Sequence, residues 1–420
     1  MGSSPFSKRI KALPLAALML LGTLAPTAQA VAAPPMSASP PAVPERRQRM
    51  NLRVFDRVWT EVARDYYDPH LHGVNWRQAR VDYRDQAALA PDDRTLYRVV
   101  NRMLDLLDDA HAGAIAPAAA RRRDHANERR AALGVTLYRQ DDESWRIEAV
   151  RPGSPAEAAG VRVGWTLLSL DGQPWGPDVE VIGGAPVVLS LRDEAGQPRV
   201  VTVTPQAMDP LPVFVAARPN PETLVLSVQS FDPGLGRWMG RQLQDLSPDV
   251  DVVLDLRGNP GGRLLEADAV LACFLPRDRA WATRTGRTGR AVTLKVSQRC
   301  GDLHGPATNE LAVLVDGASR SAAELTPAAL QEAGRAVVVG ERTGGAVLIA
   351  QDTDLPDGGR LTLSRADFVT RGGVRLEKTG VTPDVVVTRT LDDRREGRDP
   401  MLDAAVSALE TASAARAAVS

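Results

Sequence analysis

Leu311-Ala312-Val313-Leu314-Val315-Asp316-Gly317-Ala318-Ser319-Arg320-Ser321-Ala322-Ala323-Glu324 is an apolar run that meets an Asp-Gly turn and then opens an Ala-rich segment ending at Gly334. The apolar run predicts a buried strand and the Ala-rich stretch a helix, so the order is strand, tight turn, helix. A Ser on such a turn stands at a helix N-terminus, where free backbone N–H groups and the helix dipole favour negative charge developing on a substrate oxygen. The same residues carry a plainer reading, because Ser321-x-x-Glu324 is also a capping box. Pro327 falls inside the expected helix, where it removes one backbone hydrogen bond and is expected to kink the segment.

Working outward, Asp255-Leu256-Arg257-Gly258-Asn259-Pro260-Gly261-Gly262 lies directly after the apolar run Val252 to Leu256 and before a helical stretch. Paired glycines at a strand end let a backbone come close to a ligand. An N–H from Gly261 or Gly262, with the amide of Ala322, would complete a two-donor oxyanion hole. A plain glycine-rich loop is the alternative. Apolar runs at Leu224 to Val228 and Ala336 to Val339 alternate with helical segments, and Leu361 to Val374 is hairpin-like. Residues 207–390 are therefore expected to form one α/β unit on a mixed sheet.

The flanking segments read differently. From 129 to 206, short β-rich runs (Val135 to Leu137, Trp145 to Val150, Val187 to Leu191, Val200 to Val203) are separated by turn residues. Within them Pro152-Gly153-Ser154-Pro155-Ala156-Glu157-Ala158-Ala159-Gly160 precedes Val163-Gly164-Trp165 and Leu168-Ser169-Leu170-Asp171-Gly172, an order that resembles a PDZ domain. That resemblance implies a peptide taken up as an added strand, its terminal carboxylate met by backbone N–H groups of the loop Leu133-Gly134-Val135. A PDZ-like spacer that binds nothing is the other reading. Residues 51–128 show helical spacing in Leu52, Val54, Phe55, Val58, Trp59 and Val62, and are expected to form a helical subdomain. Residues 391–420 are expected to be a C-terminal helix and tail on the surface.

Taken together, the run from Val225 to Val386 resembles the catalytic domain of the C-terminal processing (tail-specific) and tricorn-core serine peptidases, the S41 type. The landmarks stand in order: Ser230-Phe231, the turn ending Gly261-Gly262, Ser321 at the nucleophile position, Val339-Gly340-Glu341-Arg342-Thr343-Gly344-Gly345, and Gly380-Val381-Thr382-Pro383-Asp384. The resemblance implies a multidomain α/β protein: a helical N-terminal part, a β-rich PDZ domain and a ClpP/crotonase-like spiral core. It also exposes a departure. In the processing branch a Lys after the Thr-x-Gly turn is the general base, and here that position is Ala346. A Ser hydroxyl is a poor nucleophile without a base. The tricorn-like branch implies another solution, with His111 as base and Glu377 fixing and stabilising its imidazole. Each has an alternative: His111 as a structural helix-end residue, Glu377 as a surface residue beside Lys378. Ala110 occupies the place of the tricorn-like Ser, and Lys378 is a further base candidate if desolvated. His70, His72, His125 and His304 are read as surface or loop residues.

Composition bounds the rest. With 51 Lys and Arg against 52 Asp and Glu, the net charge of -1 offers nothing for nucleic acid. Lys8, Arg9 and Lys11, the apolar run Ala12 to Ala25 and Ala28-Gln29-Ala30 read as a signal peptide over 1–30, cleaved near Ala30. Pro14 and Gly22 argue against a retained membrane span. Residues 31–50 are expected to be a disordered linker. Cys273 and Cys300 are too few and too far apart for a zinc site, and either bridge or stay as core thiols. No metal or other cofactor is implied. The expectation is an exported, periplasmic or extracellular serine endopeptidase acting on polypeptide through its C-terminal segment. The alternative is a non-catalytic peptide-binding homologue of the same fold.

Overall fold

Apolar strands buried on both faces build the central sheet. The computed structural model describes residues 43–125, 128–140, 144–176 and 179–417. The expected signal peptide and its cleavage point lie outside the described residues. Six strands run in the order Phe214–Asn220, Thr223–Val228, Asp251–Asp255, Leu311–Val315, Val337–Gly340 and Val385–Val386, the first pair antiparallel and the rest parallel. Successive side chains point to opposite faces. Leu224, Leu226, Val252, Leu254, Leu311 and Val313 therefore pack against the helices Leu235–Leu243, Leu264–Ala272 and Ala322–Glu332. Val225, Val253, Ala312, Leu314 and Val339 face the other way, onto Met401, Ala405 and Leu409. Those last three recur every fourth residue along the helix Pro400–Ala417. This corrects the expectation of a surface helix: one of its stripes closes the back of the sheet, and burying Met401 or Leu409 contributes about 1.5–3 kcal/mol each.

A second sheet joins the N-terminal part to the core. The long strand Arg360–Thr370 pairs with Gly113–Ile115, Ala280–Gly286 and Ile349–Asp354. The helices Glu45–Asp65, Trp76–Ala88 and Asp93–Leu104 bury Phe55, Val58, Tyr66, Val100 and Leu104 together with Leu361 and Leu363 of that strand. The helical part thus shares its core with the catalytic unit. Its first helix starts at Glu45, inside the expected 31–50 linker, because Pro44 sets the turn and Arg47 is anchored to Asp93 at 2.6 Å.

Between them, Val135–Arg139, Trp145–Val150, Thr166–Leu170, Val187–Arg192 and Pro198–Val203 form a sheet with its own core of Ile147, Leu167, Leu189 and Leu191. Arg130–Ala132 pairs with Gln206–Met208, so the strand pairing crosses the expected boundary at 206. The helix Leu391–Glu396 docks here, Leu391 lying against Gly164. Cys273 and Cys300 are joined by a disulfide. The helix Ala322–Glu332 runs through Pro327, whose neighbours Leu325, Ala328 and Leu330 are buried and hold the segment by packing despite the missing hydrogen bond.

Candidate active site

Parallel strands deliver their loops to one edge, where open α/β sheets hold ligands. Adjacent strands Thr223–Val228, Asp251–Asp255, Leu311–Val315 and Val337–Gly340 end in the loops carrying Phe231, Gly261-Gly262, Ser321 and Thr343 to Ala346. Ser321 takes φ 54° and ψ -119° at the head of its helix, a strained conformation for a residue with a side chain. Its N–H donates to Ala346 O at 2.8 Å and to Glu324 Oε2 at 2.9 Å. Glu324 is fully buried and gathers three more donors: Thr343 Oγ1 at 2.6 Å, the Gly345 N–H at 2.7 Å and the Ala346 N–H at 2.9 Å. One carboxylate therefore bolts the nucleophile turn to the Thr-Gly-Gly turn.

The glycine turn is pressed against the same point. A Cβ on Gly261 would lie 2.7 Å from the Ser321 Cβ, so only glycine fits. The Gly261 N–H is committed to Asn259 Oδ1 at 2.7 Å, and Asn259 Nδ2 to Val228 O at 2.7 Å. Its carbonyl accepts the Phe231 N–H at 2.8 Å. This corrects the expectation for Gly261, whose place is to let the turn pack. The N–H groups of Gly262 and Ala322 donate to no other described residue, as expected for an irregular turn and the first position of a helix.

His111 and Glu377 arrive from the other sheet. Glu377 is 5% exposed and its Oε2 accepts the Val347 N–H at 2.9 Å. Burial pushes its carboxyl above the ordinary range, opposed by the Val347 N–H and by the positive charge of His111. His111 sits just before Gly113–Ile115, with Nδ1 3.9 Å from Asp109 Oδ1. Ser321 and Glu377 are thus tied to consecutive residues, Ala346 and Val347, with the imidazole close enough to Glu377 to couple by charge. Among the described residues neither His111 nor Ser321 Oγ is hydrogen-bonded to the other.

Against this geometry, known proteins can be placed. Residues 222–387 match the family described as Peptidase family S41, and residues 49–105 match the Tricorn protease C1 domain. The chain is 28% identical over 355 residues to a carboxyl-terminal-processing protease of Picosynechococcus sp., covering 79% of this chain and 82% of that one. To tricorn protease homolog 1 of Streptomyces coelicolor it is 27% identical over 397 residues, 84% of this chain but 34% of that longer protein. Its fold matches the photosystem II D1 C-terminal processing protease with a TM-score of 0.58 at 23% identity, covering 80% of this chain and 93% of that one. The protein is a serine peptidase, a hydrolase.

A base amine in this serine peptidase would have to come from one of four lysines. Lys8, Lys11, Lys295 and Lys378 are its lysines. Lys295 is exposed on the strand Ala291–Lys295, and Lys378 is 54% exposed and ion-paired with Asp108. That corrects the Lys378 candidacy, since a base amine must be desolvated. Ala346 is buried and serves through its backbone. His72, read as a surface or loop residue, lies in the short turn Leu71–Gly73, its Nδ1 donating to Leu107 O at 2.7 Å and its Nε2 bonded to Tyr67 Oη at 2.8 Å. Sequence reasoning gave Glu324 only a capping role, and it missed Asp109 although that residue stands two places before His111. Tyr66, buried against the Asp109 carboxylate, had no local signal at all.

A groove of about 570 Å³ runs beside the strand Val135–Arg139, an edge of its sheet. Leu133, Gly134 and Val135 line one side, with Trp175, Val179 and Val181 among the residues that complete it. Gly134 has φ +84° and its missing side chain leaves room for Ser154. An edge strand beside an apolar groove can accept an extended chain by backbone pairing.

Proposed function

We propose that this serine peptidase is of the S41 type, is exported and cleaves polypeptides with Ser321 as nucleophile, His111 as general base and Glu377 as the carboxylate that stabilises the imidazolium. Ser321 Oγ attacks a peptide carbonyl while its proton passes to His111 Nε2. The new C–O bond gives a tetrahedral oxyanion facing the Ala322 and Gly262 N–H groups. The C–N bond then breaks, the leaving amine takes the proton from His111, and water releases the acyl group by the same route. The observation that carries this reading is the anchoring of Ser321 and Glu377 to consecutive residues, Ala346 and Val347, while both lysines among the described residues, Lys295 and Lys378, are exposed to water. Catalytic hydrogen bonds that are open in a resting conformation commonly close on the substrate. Residues 129–206 fit a PDZ domain that adds the substrate's C-terminal segment to the edge strand Val135–Arg139, the loop Leu133-Gly134-Val135 meeting its carboxylate. Export is supported by the N-terminal pattern and by the Cys273–Cys300 disulfide.

The test is covalent labelling of Ser321 with a fluorophosphonate, read by peptide mass spectrometry. Fast labelling in the full chain and a loss of about 10²-fold or more in His111→Ala are expected. Equal labelling rates in the two proteins would remove His111 from the mechanism, and no labelling of Ser321 would remove the nucleophile.

A further inference from the structure

Three buried polar atoms that the mechanism above does not use gather behind the imidazole. Asp109 Oδ2, His111 Nδ1 and Tyr66 Oη are each buried without a well-formed protein hydrogen bond, Tyr66 Oη lying beside the Asp109 carboxylate. The Asp109 side chain is fully buried, and so is Tyr66. Burial, followed by the charge of Asp109, pushes the Tyr66 phenol far above its ordinary range, so the hydroxyl keeps its proton facing that carboxylate. Asp109 Oδ1 already accepts the His111 backbone N–H at 2.8 Å, which fixes the loop. That local bond holds one oxygen, and the Tyr66 hydroxyl faces the carboxylate. His111 Nδ1 is left buried without a partner, which is rare and calls for one.

We propose that Asp109 is a positioning residue for the reaction, holding the proton on His111 Nδ1 so that Nε2 is the nitrogen presented to Ser321. This rests on the Ser321–His111 reading. Nδ1 is already on the Asp109 side, 3.9 Å from Oδ1, so a small rotation of the ring or carboxylate makes the bond. The charged and titratable groups around the ring are Asp109, Glu377, Tyr66 and Tyr67, with the Asp108–Lys378 pair and Arg375 farther out. In an imidazole the hydrogen bond at one nitrogen sets which tautomer exists. Asp109 thus supplies orientation, and Glu377 supplies charge.

The experiment uses the full chain labelled with 15N-histidine, its His111 signal assigned by its loss in His111→Gln. At a pH where the ring is neutral, the Nδ1–H tautomer is expected in the parent protein and in Glu377→Gln, and its loss in Asp109→Asn. On a peptide substrate Asp109→Asn is expected to lower kcat by about 10²–10⁴-fold with KM nearly unchanged, and Asp109→Glu to recover part of it. An unchanged tautomer and kcat in Asp109→Asn would overturn the proposal. So would loss of the Nδ1–H tautomer in Glu377→Gln, a readout that stands even if Asp109→Asn does not fold. Should His111→Ala keep full activity, the Ser321–His111 reading itself fails; should His111→Ala be inactive while Asp109→Asn is normal, only this proposal fails.

Discussion

Replacing Glu324 with Gln tests whether one buried carboxylate organises the nucleophile turn. Oε1 accepts Thr343 Oγ1 and the Gly345 N–H, and Oε2 accepts the N–H groups of Ser321 and Ala346, all at 2.6–2.9 Å. A Gln keeps one acceptor oxygen for one pair of donors and turns an NH2 toward the other pair. Hydrogen bonds to a charged group contribute about 1.5–3 kcal/mol each, so losing two costs about 3–6 kcal/mol. Removing a fully buried charge returns part of that, leaving a net loss of about 2–4 kcal/mol. Whichever pair is lost, the loop from Thr343 to Ala346 or the Ser321 turn shifts, and a displacement on the order of 1 Å lowers kcat about 10²-fold. Urea unfolding at low temperature gives the stability, and initial rates on a peptide substrate give kcat for the folded fraction. A variant within about 0.5 kcal/mol of the parent and equally active would refute this account. Thr343→Val, which removes one donor and leaves the Val381 N–H unpaired, should cost about 1–3 kcal/mol and sum poorly with Glu324→Gln, since both touch one network.

Four further outcomes can be measured. Cys300→Ser opens a loop of 27 residues and should cost about 3–4 kcal/mol in urea unfolding, an effect that reductant reproduces in the parent protein. Glu377→Gln should raise the melting temperature while lowering activity by on the order of 10²-fold, because burial raises the folded carboxyl above its unfolded value. Protonated Glu377 favours the fold at acid pH and that contribution is lost as pH rises through the raised pKa, so the gain from Gln appears near neutrality and vanishes below about pH 4. Arg257→Met leaves Asp255 and Asp399 without their guanidinium and should cost about 3–5 kcal/mol. In the parent, burial alone would raise Asp399, but Arg257 holds it below the ordinary range, so this stability is present above about pH 4 and is lost as pH falls through the depressed value. Lys378→Met should keep kcat within about threefold, whereas a loss above about 10²-fold would identify Lys378 as the base after all.

What could be read from the sequence was whatever is local. The run Leu311 to Val315 and the strand Trp145–Val150 have the bounds their apolar pattern predicts, because each is bracketed by turn residues that end it for backbone reasons. Boundaries set by distant contacts were out of reach. Gly113–Ile115 is three residues long and is a strand only because Arg360–Thr370 lies beside it. The helix Pro400–Ala417 shows no patterned stripe strong enough to predict its burial against the sheet. The same division runs through the site. Ser321 and the glycine pair carry short-range signatures, so their turns were visible. Which amide stays free was not, because the Gly261 N–H is taken by an Asn side chain whose orientation depends on the Val228 carbonyl. Asp109 and Tyr66 meet only when the first helix and the loop before Gly113 pack together.

The two halves of the site differ in how firmly they are held, and this follows from where they sit. Ser321, Gly262 and Ala322 stand on loops between parallel strands whose side chains are buried on both faces, and Glu324 cross-links those loops with four hydrogen bonds. Such a half is rigid: moving Ser321 would unpair a buried charge. His111 is carried by a turn with Asp108 at φ 49°, between a single 3-10 turn at Asp105–Leu107 and a three-residue strand. One of its attachments to the rigid half is an exposed ion pair, Asp108 to Lys378, which contributes little to holding a geometry in water. The nucleophile and oxyanion donors are therefore preorganised, as charge stabilisation requires. The base can adjust over a short distance at little cost, and an extended substrate lying over Ser321 could supply the contact that closes it.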